Sequence, residues 1–519
     1  MEELWIDGFN PLWVSEELMR RKGAGFRSCR DWGEETDGVN DVRTYNNVDI
    51  TAFALLKACA KKKDLRQGIS VHADILKEGL LAKNSYLGSA LISMYAKCGA
   101  LVKAQEVLDE LPVRDAVSWN SVIAGYAQQG CAKDAFNCFE QMKKEGLSPN
   151  TVTFICILKV CGSSGAVDKG VEIHSEIINK GLLRHVEVGN AVVDMYAKCG
   201  ALGKAHQVLN GLLVRNVVSW NALISGYIKN GQDEEALDCF KQMQREGFFP
   251  DAITFTCILK ACARTGSLDK GMKIHEEIVN KGLLAKDTMV GTALMDMYTK
   301  LGELEKAQRL FDELPFRDVV SWTMLIAGYT QHGHGEVALK CYECMKQEGV
   351  EPDEITFLYV LKACGSIGAL YKGQEAHGEI ISKGILNKDV FVGNALVDMY
   401  TKCGDLARAQ HVFNNLKVKN VITWTTLITG YAGCGLCHKA IHCFQDMQRS
   451  GLQPDEVTLV CILKVCGKIG AIDRGQDIHA EIVREGLLRR SSISLGNALV
   501  EMYAKCNALE KAHQVFNEV

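Results

Sequence analysis

Val218-Ser219-Trp220-Asn221-Ala222-Leu223-Ile224-Ser225-Gly226-Tyr227 returns along the chain as Val320-Ser321-Trp322-Thr323-Met324-Leu325-Ile326-Ala327-Gly328-Tyr329, and further variants surround Trp119 and Trp424. The four tryptophans lie 101, 102 and 102 residues apart. A period so long and so regular predicts an array of stacked units instead of one closed globule. Each period holds three related segments. One spans 35 residues, Val217 to Asp251, and ends in Pro250-Asp251. The next, Ala252 to Asp287, carries Ile274-His275-Glu276-Glu277-Ile278. The third spans 31 residues, Thr288 to Asp318, with a glycine turn at Gly302.

Each segment reads as two helices joined by a tight turn. Trp119, Val122, Ile123 and Tyr126 hold the i, i+3, i+4, i+7 spacing of one apolar helix face, and Ser118 is expected as the N-cap. Gly130 then breaks the chain, and Ala135, Cys138, Phe139 and Met142 repeat the spacing before Gly146 and Pro149 end the second helix. After residue 48, proline occurs at positions 112, 149, 250, 315, 352 and 454, always between helix pairs. An all-α array requires this, because an interior proline costs ~3 kcal/mol. About 28 helices are expected over residues 49–519, the first of each pair lining a concave face.

The formal charge is −4, and residues 1–48 carry all of it, with six Lys or Arg against ten Asp or Glu. The remaining 471 residues hold 53 charges of each sign. A neutral array excludes capture of a partner by long-range charge alone, so DNA is not expected. No apolar run approaches the ~20 residues of a membrane-spanning helix, so no membrane is expected either. Met1-Glu2-Glu3-Leu4 begins acidic, unlike a secretory signal or a transit peptide. Residues 1–48 match no segment and are expected to form a flank with little order of its own.

Sixteen of the 21 cysteines fall into periodic sets, among them Cys138, Cys239, Cys341 and Cys443. A cysteine that recurs at one turn of one helix reads as a small core hydrophobe, so disulfides are not expected and a reducing compartment fits. His174-Ser175-Glu176, His275-Glu276-Glu277, His377-Gly378-Glu379 and His479-Ala480-Glu481 match half of a zinc deaminase signature, but four copies at the repeat interval mark a structural position. Neither Cys341-Tyr342-Glu343-Cys344 nor Cys434-Gly435-Leu436-Cys437 follows a proline, as that signature requires. Cys434 to His438 also spells a haem attachment motif, and His442 stands near enough to add a zinc ligand, yet the segment occupies an inter-helix turn. No catalytic residue, cofactor or metal ligand is assigned, and no enzyme activity is expected.

The 35-residue segments resemble pentatricopeptide repeats. Their rotation with 35-to-37-residue and 31-residue variants is similar to the plant subclass built of standard, long and short repeats. Gly393-Asn394-Ala395-Leu396-Val397-Asp398-Met399-Tyr400-Thr401-Lys402-Cys403-Gly404 is close to that subclass's short repeat. The resemblance divides the chain into fourteen repeats: 49–84, 85–115, 116–150, 151–185, 186–216, 217–251, 252–287, 288–318, 319–353, 354–389, 390–420, 421–455, 456–492 and an incomplete 493–519. It implies a right-handed superhelical solenoid of helix-turn-helix repeats that binds single-stranded RNA in a mitochondrion or chloroplast, one base per repeat read by two or three side chains.

In the family, an early residue of the first helix and the last residue of the repeat together contact one base edge. The standard repeats hold Asn120 with Asn150, Asn221 with Asp251, Thr323 with Asp353 and Thr425 with Asp455 at these positions. The short repeats hold Ser89 with Asp115, Asn190 with Asn216, Thr292 with Asp318 and Asn394 with Asn420. All are short donors or acceptors suited to a Watson–Crick edge. Val117, Val218, Val320 and Ile422, three places earlier, resemble the family's wedge between successive bases. Long repeats carry Phe53, Ile155, Leu358 and Val460 at the early position, where an apolar side chain cannot read a base edge; Thr256 with Asp287 is the exception. The family's rule gives G-C-n-C-U-n-G-G-n-C-G from Ser89 to Asp455, with n at long repeats.

The implied function is site recognition in organellar RNA processing or C-to-U editing. The chain stops at position 27 of its last repeat, without the family's extension and deaminase domains, so a truncated product is expected and editing would draw on a deaminase-bearing or accessory protein in trans. A tetratricopeptide-like protein scaffold is the rival reading, since such arrays also stack helix pairs at a 34-residue period, and a non-functional truncated gene product is the third. Three rotating lengths and recurring polar pairs favour RNA.

Overall fold

The computed structural model describes residues 47–81, 85–284, 287–314, 316–387, 389–487 and 493–518. The flank expected over residues 1–48 lies outside them except for its last two residues, which open the first helix, Asn47–Lys62. Among the described residues there are 28 α-helices, two short 3-10 turns and no strand. One full period runs Val217–Lys229 and Asp233–Arg245, then Ala252–Thr265 and Leu268–Asn280, then Thr288–Lys300 and Leu304–Glu313. The second helix of the short unit has ten residues against thirteen in the other two, which accounts for most of its shorter repeat.

The apolar stripes meet as their spacing requires. Trp119, Val122 and Ile123 are fully buried in one helix, and Ala135 and Met142 answer from the next. Burying such a large side chain is worth about 1.5–3 kcal/mol, and no single pair has partners enough to bury its whole face. Each first helix packs on the first helix of the following unit, and each second helix leans on that same neighbour. No comparably close pair of second helices occurs among the described residues. The first helices are therefore the tighter, inner layer, and the stack curves around them.

The N-cap expectation for this helix is corrected. Ser118 lies inside Ala116–Gln128, and Asp115 is the cap, accepting from the backbone N–H groups of Val117 and Ser118. A cap must sit on extended backbone before the first helical residue so that its side chain can fold back, and Asp115 does so at φ −112° and ψ 173°. Ser118 completes a capping box by accepting from the Asp115 N–H at 3.0 Å.

Left-handed backbone closes the turn within the helix pairs, supplied by glycines such as Gly231 at φ +75° and Gly266 at φ +70°. In the first described pair Lys63 takes that conformation at φ +54°, and in the last Asn507 does at φ +59°. Lys63→Gly is expected to stabilise its pair by about 1 kcal/mol, because a Cβ strains left-handed backbone. Asn507→Gly should change less, since asparagine tolerates that region. Slower native-state hydrogen exchange over residues 51–77 in the lysine variant would bear this out, and unchanged exchange would refute it.

Candidate nucleic-acid interface

Every last-position residue of the paired set is the N-cap of the helix that follows. Asp115, Asn150, Asn216, Asp251, Asp318, Asp353, Asn420 and Asp455 each accept from the backbone N–H of the third helical residue. Those third residues are Ser118, Thr153, Ser219, Thr254, Ser321, Thr356, Thr423 and Thr458, all buried. Arginines just before three caps tie the junction down: Arg114 pairs with Glu145 at 2.5 Å, Arg215 with Glu246 at 2.8 Å and Arg317 with Glu348 at 2.8 Å.

Capping brings the last residue of one repeat against the early residue of the same repeat's first helix. Asn221 Nδ2 donates to both Asp251 carboxylate oxygens, at 2.9 and 3.1 Å. Asn120, Asn190 and Asn394 donate to the Oδ1 of Asn150, Asn216 and Asn420 at 3.3, 3.2 and 3.4 Å. The threonine pairs join through a third hydroxyl. Thr323 meets Thr356 at 2.6 Å, and Thr356 donates to Asp353 at 2.7 Å. Thr425 meets Thr458 at 2.5 Å and approaches Asp455 at 3.5 Å. Thr292 turns its hydroxyl onto the Thr288 carbonyl at 2.7 Å, away from Asp318. Ser89 is buried on the helix Ser85–Lys97, one unit ahead of the Asp115 cap.

Six of the early positions are nearly covered, Asn221 to 2% exposure, Asn190 and Thr292 are half-buried, and the aliphatic residues three places before the standard-repeat members stand open. Val117, Val218, Val320 and Ile422 are 42–53% exposed, and Ile355 and Val457, three places before the early position in long units, are 54% and 60% exposed. In the long units Phe53, Ile155, Leu358 and Val460 are half-buried at the equivalent place. Thr256 donates to the Ala252 carbonyl of its own helix at 2.8 Å, and Asp287 caps the next helix by accepting from Met289 N–H. The third-residue hydroxyls were not assigned from the sequence. Their signal is there, as Asn or Asp followed three places on by Ser or Thr at eight helix starts.

The recurrent histidines form a second regular junction. His72, His174, His275, His377 and His479 place Nδ1 2.8–3.1 Å from the hydroxyls of Tyr95, Tyr196, Tyr298, Tyr400 and Tyr503 in the following unit. Burial pushes the imidazoles of His72, His174, His275 and His377 below their ordinary range. Burial likewise pushes the thiols of Cys138, Cys239, Cys341 and Cys443 up to about 12, so these are unreactive core groups. Cys437 is buried at the start of Cys437–Arg449, whereas Cys434 is exposed. Among the described residues no three His, Cys, Asp or Glu side chains converge as metal ligands.

Profiles of the PPR repeat family match residues 114–163, 215–264, 317–366 and 419–468, and profiles of the PPR repeat match residues 89–115, 152–182, 253–283, 292–319 and 394–421. A mitochondrial pentatricopeptide repeat-containing protein of Arabidopsis thaliana is 35% identical over 498 residues, which is 96% of this chain and 48% of that protein. A chloroplastic one from the same plant is 34% identical over 435 residues, 84% of this chain and 70% of the relative. The chain spans about half the length of the first curated relatives it matches, 48% and 55%. The crystal structure of the pentatricopeptide repeat protein PPR10 from maize superposes with a TM-score of 0.62 at 22% identity, over 98% of this chain and 76% of that one. It shares the all-helical superhelical solenoid fold.

The histidine junctions make stability depend on pH. The folded pKa values of His72, His174, His275 and His377 lie below the unfolded value of ~6.5, so the stabilisation is fully present above that pH and is lost as pH falls through the folded values. The melting temperature should be higher at pH 7.5 than at pH 5.5, a window above the range of the paired carboxylates. His275→Gln should flatten the difference, because Gln410 already meets Tyr431 at 2.8 Å without titrating. Equal melting at both pH values would refute this.

Proposed function

Because the chain belongs to the pentatricopeptide repeat family, we propose that it binds single-stranded RNA and reads one base at each standard and short repeat, with the repeat boundaries given above. The observation that carries the proposal is the pairing of the early and last positions beside an exposed aliphatic residue. Asn221 against Asp251, with Val218 45% exposed three places earlier, is the best-formed case.

Hydrogen-bond chemistry supports a code of this kind. A cap spends Oδ1 on the helix, so Asn150, Asn216 and Asn420 retain an amino group to offer, whereas Asp353 and Asp455 retain a carboxylate oxygen and Asp251 a lone pair on the Oδ2 that Asn221 already meets. Cytosine presents an acceptor at N3 and suits the amide; uracil presents N3–H and suits the carboxylate. When Thr356 gives its proton to Asp353, Thr323 gives its own to Thr356 and keeps lone pairs. Thr323 with Asp353 is then an acceptor pair, suited to the N1–H and amino group of guanine. Val117, Val218, Val320 and Ile422 lie between successive bases, and the long repeats space the readers.

The rotation of three segment lengths supports membership of the plant subclass of standard, long and short repeats. The reading extends to a mitochondrial or chloroplast location and to site selection in RNA processing or C-to-U editing. No zinc deaminase signature lies in residues 1–519, so conversion at a selected site falls to a deaminase domain outside these residues.

Asn221→Thr turns an Asn–Asp pair into Thr–Asp. Preference at the fifth base of G-C-n-C-U-n-G-G-n-C-G should move from U to G by roughly 1–3 kcal/mol, with neighbouring positions unchanged. Competition binding at fixed salt measures it. Equal binding of the U and G oligonucleotides by both proteins would refute the coded reading.

A further inference from the structure

Five of the third-residue hydroxyls stay within reach of their own cap, at 2.6–3.1 Å, and also reach back to the early residue of the preceding repeat. Ser219 donates to Asn190 Oδ1 at 2.5 Å, Thr254 to Asn221 Oδ1 at 2.6 Å and Thr423 to Asn394 Oδ1 at 2.7 Å. Thr356 and Thr458 meet the hydroxyls of Thr323 and Thr425 at 2.6 and 2.5 Å. We infer that these five hydroxyls are positioning residues for base recognition, each fixing which polar atom of the early side chain faces the RNA. The inference rests on the RNA reading above and adds a third residue to each such site.

All five are 0% exposed, so none can touch a base and any effect must pass through the neighbour. At Asn221 the amide has one arrangement that satisfies both sides. Oδ1 takes the Thr254 proton while Nδ2 donates to Asp251, leaving the second Nδ2 hydrogen as the group to offer. Turning the amide over would set Oδ1 against the Asp251 carboxylate and leave Thr254 only the Asp251 Oδ1, at 2.8 Å, as acceptor. Capping alone does not demand the clamp, because the cap accepts from the backbone N–H of the third residue. Thr153 shows this: its hydroxyl donates to Asn150 at 3.0 Å, and Asn120 Oδ1 is left buried without a partner. Asn120 with Asn150 thus has the same residue types as Asn394 with Asn420 but lacks the clamp.

The test uses the full chain and oligonucleotides of the expected register carrying U or C at the fifth base, in competition at fixed salt. Thr254→Val removes the hydroxyl and keeps the branched shape, whereas Thr254→Ser keeps the hydroxyl. The valine variant is expected to lose about three- to tenfold of the U-over-C preference, the scale of one hydrogen bond, and the serine variant to retain it. Preference at the other positions should stay as in the unmodified chain. Should Thr254→Val lose helix content, the same two substitutions at Thr423, read at the tenth base, decide the matter. Undiminished preference in folded Thr254→Val, or equal loss in both variants, overturns the inference alone. An unmodified chain with no preference at the fifth base overturns the RNA reading and the inference with it.

Discussion

Each helix start in this array must hide or satisfy its first backbone N–H groups, and one side chain answers that need while also belonging to the face between repeats. Asn and Asp cap helices almost equally well, and losing such a cap costs about 0.5–2 kcal/mol. The eight last positions use these two residues and no others. The fold is thus indifferent to an exchange that swaps a hydrogen-bond donor for an acceptor at the surface. The helix uses Oδ1 and leaves the other atom to the face between repeats, where Asp251 Oδ2 takes a hydrogen bond from Asn221.

Holding these caps in register depends on how closely the helices approach. A Cβ on Gly226 would lie 2.5 Å from the Ala197 Cβ, and one on Gly271 would lie 2.3 Å from the Met297 sulfur. At Gly226 the clash is with a short, rigid neighbour, so a larger residue would push the two units apart, whereas at Gly271 the Met297 side chain would have to move aside. The same closeness lets Thr254 reach Asn221 across 33 residues of sequence.

Helix pairs and turns were legible in the sequence because they depend on local periodicity and on where glycine and proline fall. The paired positions were legible through family resemblance, since nothing in the spacing alone says that Asn221 and Asp251 meet. The assignment of Ser118 as a cap failed because serine and aspartate both cap well, and only the backbone at Asp115 distinguishes them. The clamping hydroxyls escaped notice for another reason. Each is a good capping-box residue in its own helix, and its second contact appears only once neighbouring units are stacked. The orphaned oxygen of Asn120 could not be read from the sequence, since Thr153 differs in no residue type from Thr254.

The three junctions in each period are not interchangeable. Long meets short through His275 with Tyr298 and Gly271 with Met297; short meets standard through Gly226 with Ala197; standard meets long through the edge-to-face rings of Phe240 and Phe255. Recombination between repeated stretches of such a gene preserves every junction when it adds or removes a whole triplet of about 102 residues, and breaks one when it moves a single repeat. Lineages of such arrays should therefore grow and shrink three units at a time, with point changes at the caps exchanging donor for acceptor between those steps.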